Sequence, residues 1–424
     1  MHNHRLNELE AAFNVSDRQL RDIAQEFERQ MSAGLNGKTS SLAMLPSYLS
    51  PPSGKEKGLF CALDFGGTNV RAGLIELEAG TYRTIKQESV PLRTDTYNYI
   101  GAECSAEQLF DFIAELIARI APTDINIALG HTFSFPCRQY DVNTASLLYW
   151  TKEIAVTGAV GKNITALLTG ALIRRGLTNI IPTAIVNDTV TTLLTAAYTA
   201  PATVIGSICG TGHNTCYRAS HHPFGKMPMY INIESGNFDG ITLNKYDKLL
   251  DNNSNRPGCG LLEKTCSGRY LGELFRLVCL DLFPAHAFTG HIARVVTIPY
   301  AMDAAELAML IAKPQDAIRR GYPPDSIAVL QKIAKLPARR SARLVSATYA
   351  AIINHIAPDN QPAIAIDGSL YEKMPHYAQD IDSTLQALLS PTITPVCRLI
   401  KNASGTGAAI AAGGERKEQI TDNK

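Results

Sequence analysis

Three glycine-rich turns follow apolar, strand-like runs in this chain: Asp64-Phe-Gly-Gly-Thr-Asn69, Gly210-Thr-Gly-His-Asn214 and Ser404-Gly-Thr-Gly407. Glycine lets a chain turn sharply and puts no Cβ before the backbone N–H groups, so each turn could present bare amides to phosphate oxygens. Taken singly, each reads more readily as a plain structural turn, but three such turns flanked by Thr, Ser and Asn are harder to dismiss. Two better-known nucleotide patterns fail. Residues Ser32 to Thr39 end in Gly-Lys-Thr like a P-loop, yet Ser32 stands where its first glycine belongs and the segment follows a helix pattern instead of a strand. The segment from Gly405 to Ile410 resembles half of a dinucleotide fingerprint, but only 17 residues follow Gly407, too few for a βαβ unit with its acidic ribose ligand.

Between these turns lies a different chemistry. Gly130-His-Thr-Phe-Ser-Phe-Pro136, Trp150-Thr-Lys152, Val186-Asn-Asp-Thr189, Asn214, Ile233-Glu-Ser-Gly236 and Leu262-Glu-Lys264 supply hydroxyls, amides, carboxylates and two ammonium groups. Such a set suits a neutral polyol, whose hydroxyls need many directional donors and acceptors and no opposite charge. Asn187-Asp188 taken alone reads equally as a helix cap or as a catalytic pair, because both residues start helices well. Trp150 alone reads as packing.

The elements that must hold these groups alternate along the chain. Ser16 is a candidate N-cap for a helix over 16–31, with Leu20, Ile23, Phe27 and Met31 at helical spacing. After a Pro/Gly loop over 50–57, the residues around Gly66 and Gly67 predict a hairpin over 59–77. Helices are expected over 106–120, 165–175, 261–279 and 341–355, and extended segments over 125–129, 183–187 and 363–369. A last strand and helix are expected over 395–412. The strand, glycine turn and strand at Val204–Tyr217 repeat the first hairpin, which points to a duplicated α/β architecture.

At 424 residues the chain is long enough for two or three lobes. Its 45% apolar and 19% charged residues are ordinary globular composition. Forty basic against thirty-nine acidic residues give +1, so no overall field draws it to nucleic acid or an anionic membrane. No secretory h-region or spanning apolar run is present, and the nine cysteines contain no C-x-x-C pair, so neither a disulfide framework nor a zinc site is suggested. A cytoplasmic protein with reduced thiols is expected. The residues from Glu415 read as a charged tail.

From about Val15 to Ala412 the order and spacing of these segments resemble the hexokinase family. The resemblance implies a two-lobed actin-like ATPase (ribonuclease H-like) α/β fold with a duplicated mixed-sheet core and an interlobe cleft. Residues 1–57 and 187–399 would form a large lobe, 58–186 and 400–413 a small lobe, and 414–424 the tail. The implied reaction transfers the γ-phosphoryl of MgATP to the 6-hydroxyl of a hexose, glucose first among them. Asp188 would be the catalytic base, and Lys152 with Thr211 would offset developing charge. Ser134, Thr151, Lys152, Asn187, Asp188, Asn214, Glu234 and Glu263 would contact the sugar. Asp64, Gly66, Gly67, Thr68, Asn69, Arg71, Gly210, Thr211, Gly212, Gly368, Ser369, Ser404 and Gly405 would line the nucleotide. The resemblance implies no dedicated metal ligands, Mg²⁺ being held mainly through ATP near Asp64 and Asp188.

Because water competes as acceptor, the lobes would be expected to close on the sugar before transfer. Some positions depart from the family pattern. His131 stands where Phe is usual, Ser235 and Asn237 replace Trp and Ala after the sugar-binding glutamate, and Lys401-Asn402-Ala403 replaces a more acidic approach to the last turn. A silent sugar sensor would have lost Asp188, Lys152 or a phosphate turn, and a chaperone-like or filament-forming ATPase would not need the sugar segments. A repressor-type bacterial sugar kinase would carry a zinc cysteine cluster. The oligomeric state is left open.

Overall fold

In a computed structural model of the protein, the described residues are 2–151, 154–220, 228–284, 288, 290–358 and 361–421, with side chains described from 4 to 414. Two compact units emerge, one of residues 1–44, 207–215 and 233–399, the other of residues 45–206, 216–232 and 400–424. This division differs from the expected lobes: residues 45–57, 187–206 and 216–232 fall in the second unit. The reason is local packing. The helix Asp188–Thr199 lies against the helix Ala403–Thr421, so closely that a Cβ on Gly407 would overlap Thr191.

The second unit is built on a five-stranded sheet in the order Thr81–Pro91, Asn69–Glu78, Lys57–Phe65, Ile127–Phe133, Ile180–Val186. The expected hairpin is present, with Lys57 opposite Glu78 and Phe65 opposite Val70. Beyond it, Lys57–Phe65, Ile127–Phe133 and Ile180–Val186 run parallel. Parallel strands are covered on both faces and read as continuous apolar runs, and all seven residues of Ile127–Phe133 are buried. One face packs on the helices Ala106–Ile120 and Ile164–Arg174 through a core that includes Leu63, Leu109, Phe110, Ile113, Leu129 and Leu168. Ser105 and Gln108 close a capping box on the first helix, and Asn163 caps the second. The other face takes the alanine-rich helix Ala403–Thr421, where any side chain on Gly130 would overlap the Ala408 carbonyl.

A six-stranded sheet runs Leu45–Pro46, Met229–Asn232, His213–Ala219, Thr203–Cys209, Ala363–Asp367, Val396–Leu399, and the unit boundaries fall inside its strands Thr203–Cys209 and His213–Ala219. Leaving out the short first strand, its chain order is that of the other sheet: third, second, first, fourth, fifth. The duplicated architecture is therefore present.

In the first unit the 30-residue helix Ile327–Ile356 is buried along most of its length and packs against Asp17–Leu35 and Tyr377–Leu388. It is twice the expected length and runs through Pro337, whose ring and missing N–H make it a poor signal of helix. Its Arg340 makes a buried two-pronged pair with Asp247 at 2.8 and 2.5 Å, beneath the Phe13 ring. The helix expected over 261–279 is two, Leu261–Cys266 and Gly268–Leu282, broken at an extended Ser267 because the Gly268 N–H bonds the Gly210 carbonyl. The third glycine-rich segment, Ser404 to Gly407, is the first turn of a helix and not a strand-to-strand turn. Among the described residues, no helix is long and apolar enough to cross a membrane.

Candidate active site

In the second unit three parallel strands end side by side, and the residues just past those ends are the ones the sequence singled out. Asp64 lies beside Thr132, and Thr132 beside Val186, in the sheet register. Gly66 and Gly67 follow the first strand, Ser134 the second, and Asn187 with Asp188 the third. The carboxyl edge of a parallel sheet is where α/β folds place ligands. Asn187 caps the helix Asp188–Thr199, so it is a helix cap in fact, and the Thr189 N–H lies 2.9 Å from both the Asn187 Oδ1 and the Asp188 Oδ1. Asp188 thereby sits on the first turn of that helix. The cap and catalytic readings of this pair are compatible.

On the neighbouring hairpin, Asp64 is mostly buried and pairs with Arg71 at 3.1 Å. Gly67 has a φ of +133°, which a residue with a side chain adopts only with strain. Thr68 and Asn69 complete this turn. Ser404 joins the same edge, its carbonyl accepting from the Thr132 hydroxyl at 2.7 Å, and Gly405 follows in the helix. Thr151 lies in a loop tied by Ile154 N–H to the Thr151 carbonyl and by the Trp150 indole to the Val156 carbonyl at 2.8 Å. Lys152 lies outside the described residues.

Two residues back from Phe133, His131 is buried in this unit's core, edge-on to the Phe133 ring, and neither ring nitrogen has a hydrogen-bond partner. Burial pushes it down to about 3.

In the first unit Asn214 bonds Glu234, and Glu263 bonds the backbone next to Asn214. The Asn214 Oδ1 accepts the Thr215 and Ser235 N–H groups at 2.7 and 3.2 Å, and its Nδ2 reaches the Glu234 Oε1 at 3.3 Å. Glu234 is left-handed at φ +58°, ψ +47°, a strained conformation for a glutamate. The Glu263 Oε2 accepts the His213 N–H at 3.2 Å. Glu263 lies against two glycines: a Cβ on Gly212 would sit 3.2 Å from its Oε2, and one on Gly236 3.2 Å from its Cβ. Ser235 and Asn237, the departures from the family pattern, form a single 3₁₀ turn after Glu234. His213 is buried and pushed down to about 4 by burial, its Nδ1 facing the Ile208 carbonyl at 3.2 Å.

The second glycine turn belongs to this cluster. A Cβ on Gly210 would lie 3.3 Å from the Gly368 Cα and 3.6 Å from the Ser369 nitrogen, so the turn and the segment Gly368–Ser369 abut. The turn is pinned to the start of helix Gly268–Leu282 by the Gly268 N–H on the Gly210 carbonyl and the Arg269 N–H on the Thr211 carbonyl. Gly268 escaped the sequence analysis; its only signal was Ser-Gly interrupting a helical pattern. From the Ser369 helix onward, Lys373 and Pro375 help line an open groove of about 570 Å³ with Ala308, Met309, Ala312 and Arg320. Among the described residues, no three His, Cys, Asp or Glu side chains gather as a metal cage.

Two hexokinase family models match residues 5–198 and 204–413, which together take in nearly the whole chain. Hexokinase-1 of Schizosaccharomyces pombe is 31% identical over 97% of this chain and 91% of its own length. A crystal structure of a hexokinase superposes with a TM-score of 0.85 at 32% identity, covering 97% of this chain and 99% of that one. The Schistosoma mansoni hexokinase complexed with glucose gives 0.82 at 28%, covering 97% and 98%. With two matched domains, a duplicated sheet order and a common fold, this chain belongs to the hexokinase family and is an ATP-dependent hexose kinase.

Proposed function

We propose that the preferred hexose is D-glucose, that its 6-hydroxyl is the acceptor, and that Asp188 is the base. The observation that carries this is the Asp188 carboxylate, seated on the first turn of a helix at the carboxyl edge of three parallel strands. There it can accept the hydroxyl proton as the sugar oxygen attacks the γ-phosphorus, a transfer that needs the carboxylate within hydrogen-bond reach of that proton. Asn187 orients the same hydroxyl from the cap position. Asn214, Glu234 and Glu263 accept from and donate to the remaining hydroxyls, with Ser134, Thr151 and Lys152 completing the sugar contacts. A neutral ligand held by amides and carboxylates agrees with the relative bound to glucose.

ATP is the donor substrate. The amides around Gly66, Gly67, Thr68 and Asn69 and those of Gly210, Thr211 and Gly212 would hold its phosphates, with Arg71, Ser404 and Gly405 nearby. Gly368 and Ser369 would meet the adenosine, which runs on toward the groove beside Lys373. Thr211 and Lys152 offset charge developing on the transferred group. The donor set fits Mg²⁺, which keeps waters and takes one or two carboxylates plus phosphates; it would be held mainly through ATP, near Asp64 and Asp188. When bound, Mg²⁺ neutralises phosphate charge. Nine cysteines with no disulfide among the described residues suit a reducing compartment, and we place the protein in the cytoplasm.

The test is ADP release with MgATP across glucose, mannose, fructose, glucosamine and N-acetylglucosamine. Glucose should show the highest kcat/KM. A higher value for any other sugar would remove glucose as the preferred substrate.

A further inference from the structure

Glu263 stands on a six-residue helix, Leu261–Cys266, whose start has no side-chain cap and follows a left-handed Gly260. Helix ends without caps fray and wander, yet this one must present a carboxylate between Gly212 and Gly236 with little room to spare. What anchors it is the next residue. The Lys264 ammonium is buried, 2.5 Å from the Asp251 Oδ1 and 2.8 Å from the Arg256 carbonyl. Asp251 ends the preceding helix, Lys245–Asn252, and also accepts the Gly258 N–H with both oxygens, at 3.1 and 2.9 Å. Burial would raise the Asp251 carboxyl, but Lys264 and the Gly258 N–H hold it below its usual value, so the pair is charged.

We infer that Lys264, through Asp251 and the loop of residues 253–260, is a positioning residue for Glu263, fixing the angle at which that carboxylate meets the sugar. This rests on the proposal that Glu263 is a sugar contact. Adjacent residues on a helix project about 100° apart, so Lys264 grips the loop on one side while Glu263 faces the Gly212 turn on the other. A buried ion pair is weak evidence for stability, because an apolar pair of the same volume often does as well. What the pair adds is direction, since three donors on one ammonium and two acceptors on one carboxylate fix the helix in rotation as well as in place. A small misplacement of a carboxylate is enough to weaken its hydrogen bond to a ligand.

The experiment uses the full-length protein and a series of singly deoxygenated glucoses. Glu263→Gln identifies the hydroxyl that Glu263 holds, because removing that hydroxyl then costs little further. Lys264→Met should raise the KM for glucose about tenfold, the lower range for a lost charged hydrogen bond. For the sugar lacking that one hydroxyl, and for ATP, its KM should stay within about twofold of wild type, well under one hydrogen bond. Lys264→Arg should restore most of the loss. Asp251→Asn, nearly the same size, should repeat the pattern and serves if Lys264→Met does not fold. A loss spread equally over every deoxy sugar, or a lower thermal midpoint with unchanged KM, would overturn the inference and leave the pair purely structural. If Glu263→Gln itself leaves glucose KM unchanged, the sugar role of Glu263 falls, and this inference with it.

Discussion

The two groups of polar residues are built in opposite ways. In the first unit Asn214 and Glu234 bond each other, Asn214 also accepts from the backbone amides of Thr215 and Ser235, and Glu263 accepts from the amide of His213 beside Asn214, so these groups are held by hydrogen bonds to side chains and loop amides. In the second unit Asp64, Ser134 and Asp188 are placed by where strands and a helix begin and end. A network tunes affinity for a ligand with many hydroxyls, because each bond restricts the others. An element end holds one group in a fixed place and direction, which a base within hydrogen-bond reach of its proton needs. Substitutions in the first group should therefore act mainly on sugar binding, and in the second mainly on turnover.

Asp188→Ala gives the largest expected effect. Loss of a general base costs about 10² to 10⁴ in rate, so kcat should fall by that range while the sugar dissociation constant, followed by calorimetry, moves little. A variant keeping more than about a tenth of wild-type kcat, outside that range, would break the assignment of turnover to the second group.

Next comes Asn214→Ala, which removes an acceptor from two backbone N–H groups and a donor from Glu234. We expect glucose affinity to fall about ten- to a hundredfold, from roughly 1.5–3 kcal/mol per charge-assisted bond, with a smaller change in kcat. An equal loss in kcat with unchanged affinity would reverse the comparison.

Thr211→Val sharpens it, since the second glycine turn belongs to the first unit yet is assigned to the nucleotide. Replacing a hydroxyl donor by a methyl should lower kcat/KM for ATP, by up to the 10²–10³ seen for a lost transition-state donor, and leave glucose affinity intact. Loss of glucose binding with normal ATP kinetics would move this turn into the sugar subsite.

The smallest effects concern stability, and each region contributes one buried histidine. His131 and His213 stay neutral in the folded protein down to about 3 and about 4, whereas in the unfolded chain they take up a proton near the ordinary 6.5. The unfolded state thus binds more protons between those values. Stability is full above about pH 6.5 and falls with acidification, by about 1.4 kcal/mol per pH unit for each histidine. Urea midpoints should drop from pH 7 to pH 5. His131→Phe removes one such proton and two unpartnered buried nitrogens, so it should make that dependence shallower by about 1.4 kcal/mol per pH unit and add about 1 kcal/mol at pH 7. An unchanged slope would mean that His131 is not buried neutral.

Much of this was legible in the residues themselves, because short-range physics controls it. The capping box at Ser16, the apolar strands, the hairpin around Gly66–Gly67 and the cap at Asn187 are local rules acting within a few residues. The segments that match the hexokinase family were visible for the same reason, each being contiguous. Tertiary structure decided the rest.

Ser404–Gly407 has the composition of a turn, but packing places it in a helix, with Gly407 required by Thr191 across a helix contact and not by a turn. The helical pattern over 261–279 breaks at Ser267 only because Gly210, 58 positions earlier, accepts the Gly268 N–H. Asp251 and Lys264 carried no sequence signal as a pair, since nothing in the 12 intervening positions says that a loop will fold back over an ammonium. Nor does the sequence distinguish a histidine in a strand from an apolar neighbour; only the close-packed surroundings of His131 make its two nitrogens costly. Local composition chooses the elements, and long-range packing chooses which of their backbone and side-chain groups end within bonding distance.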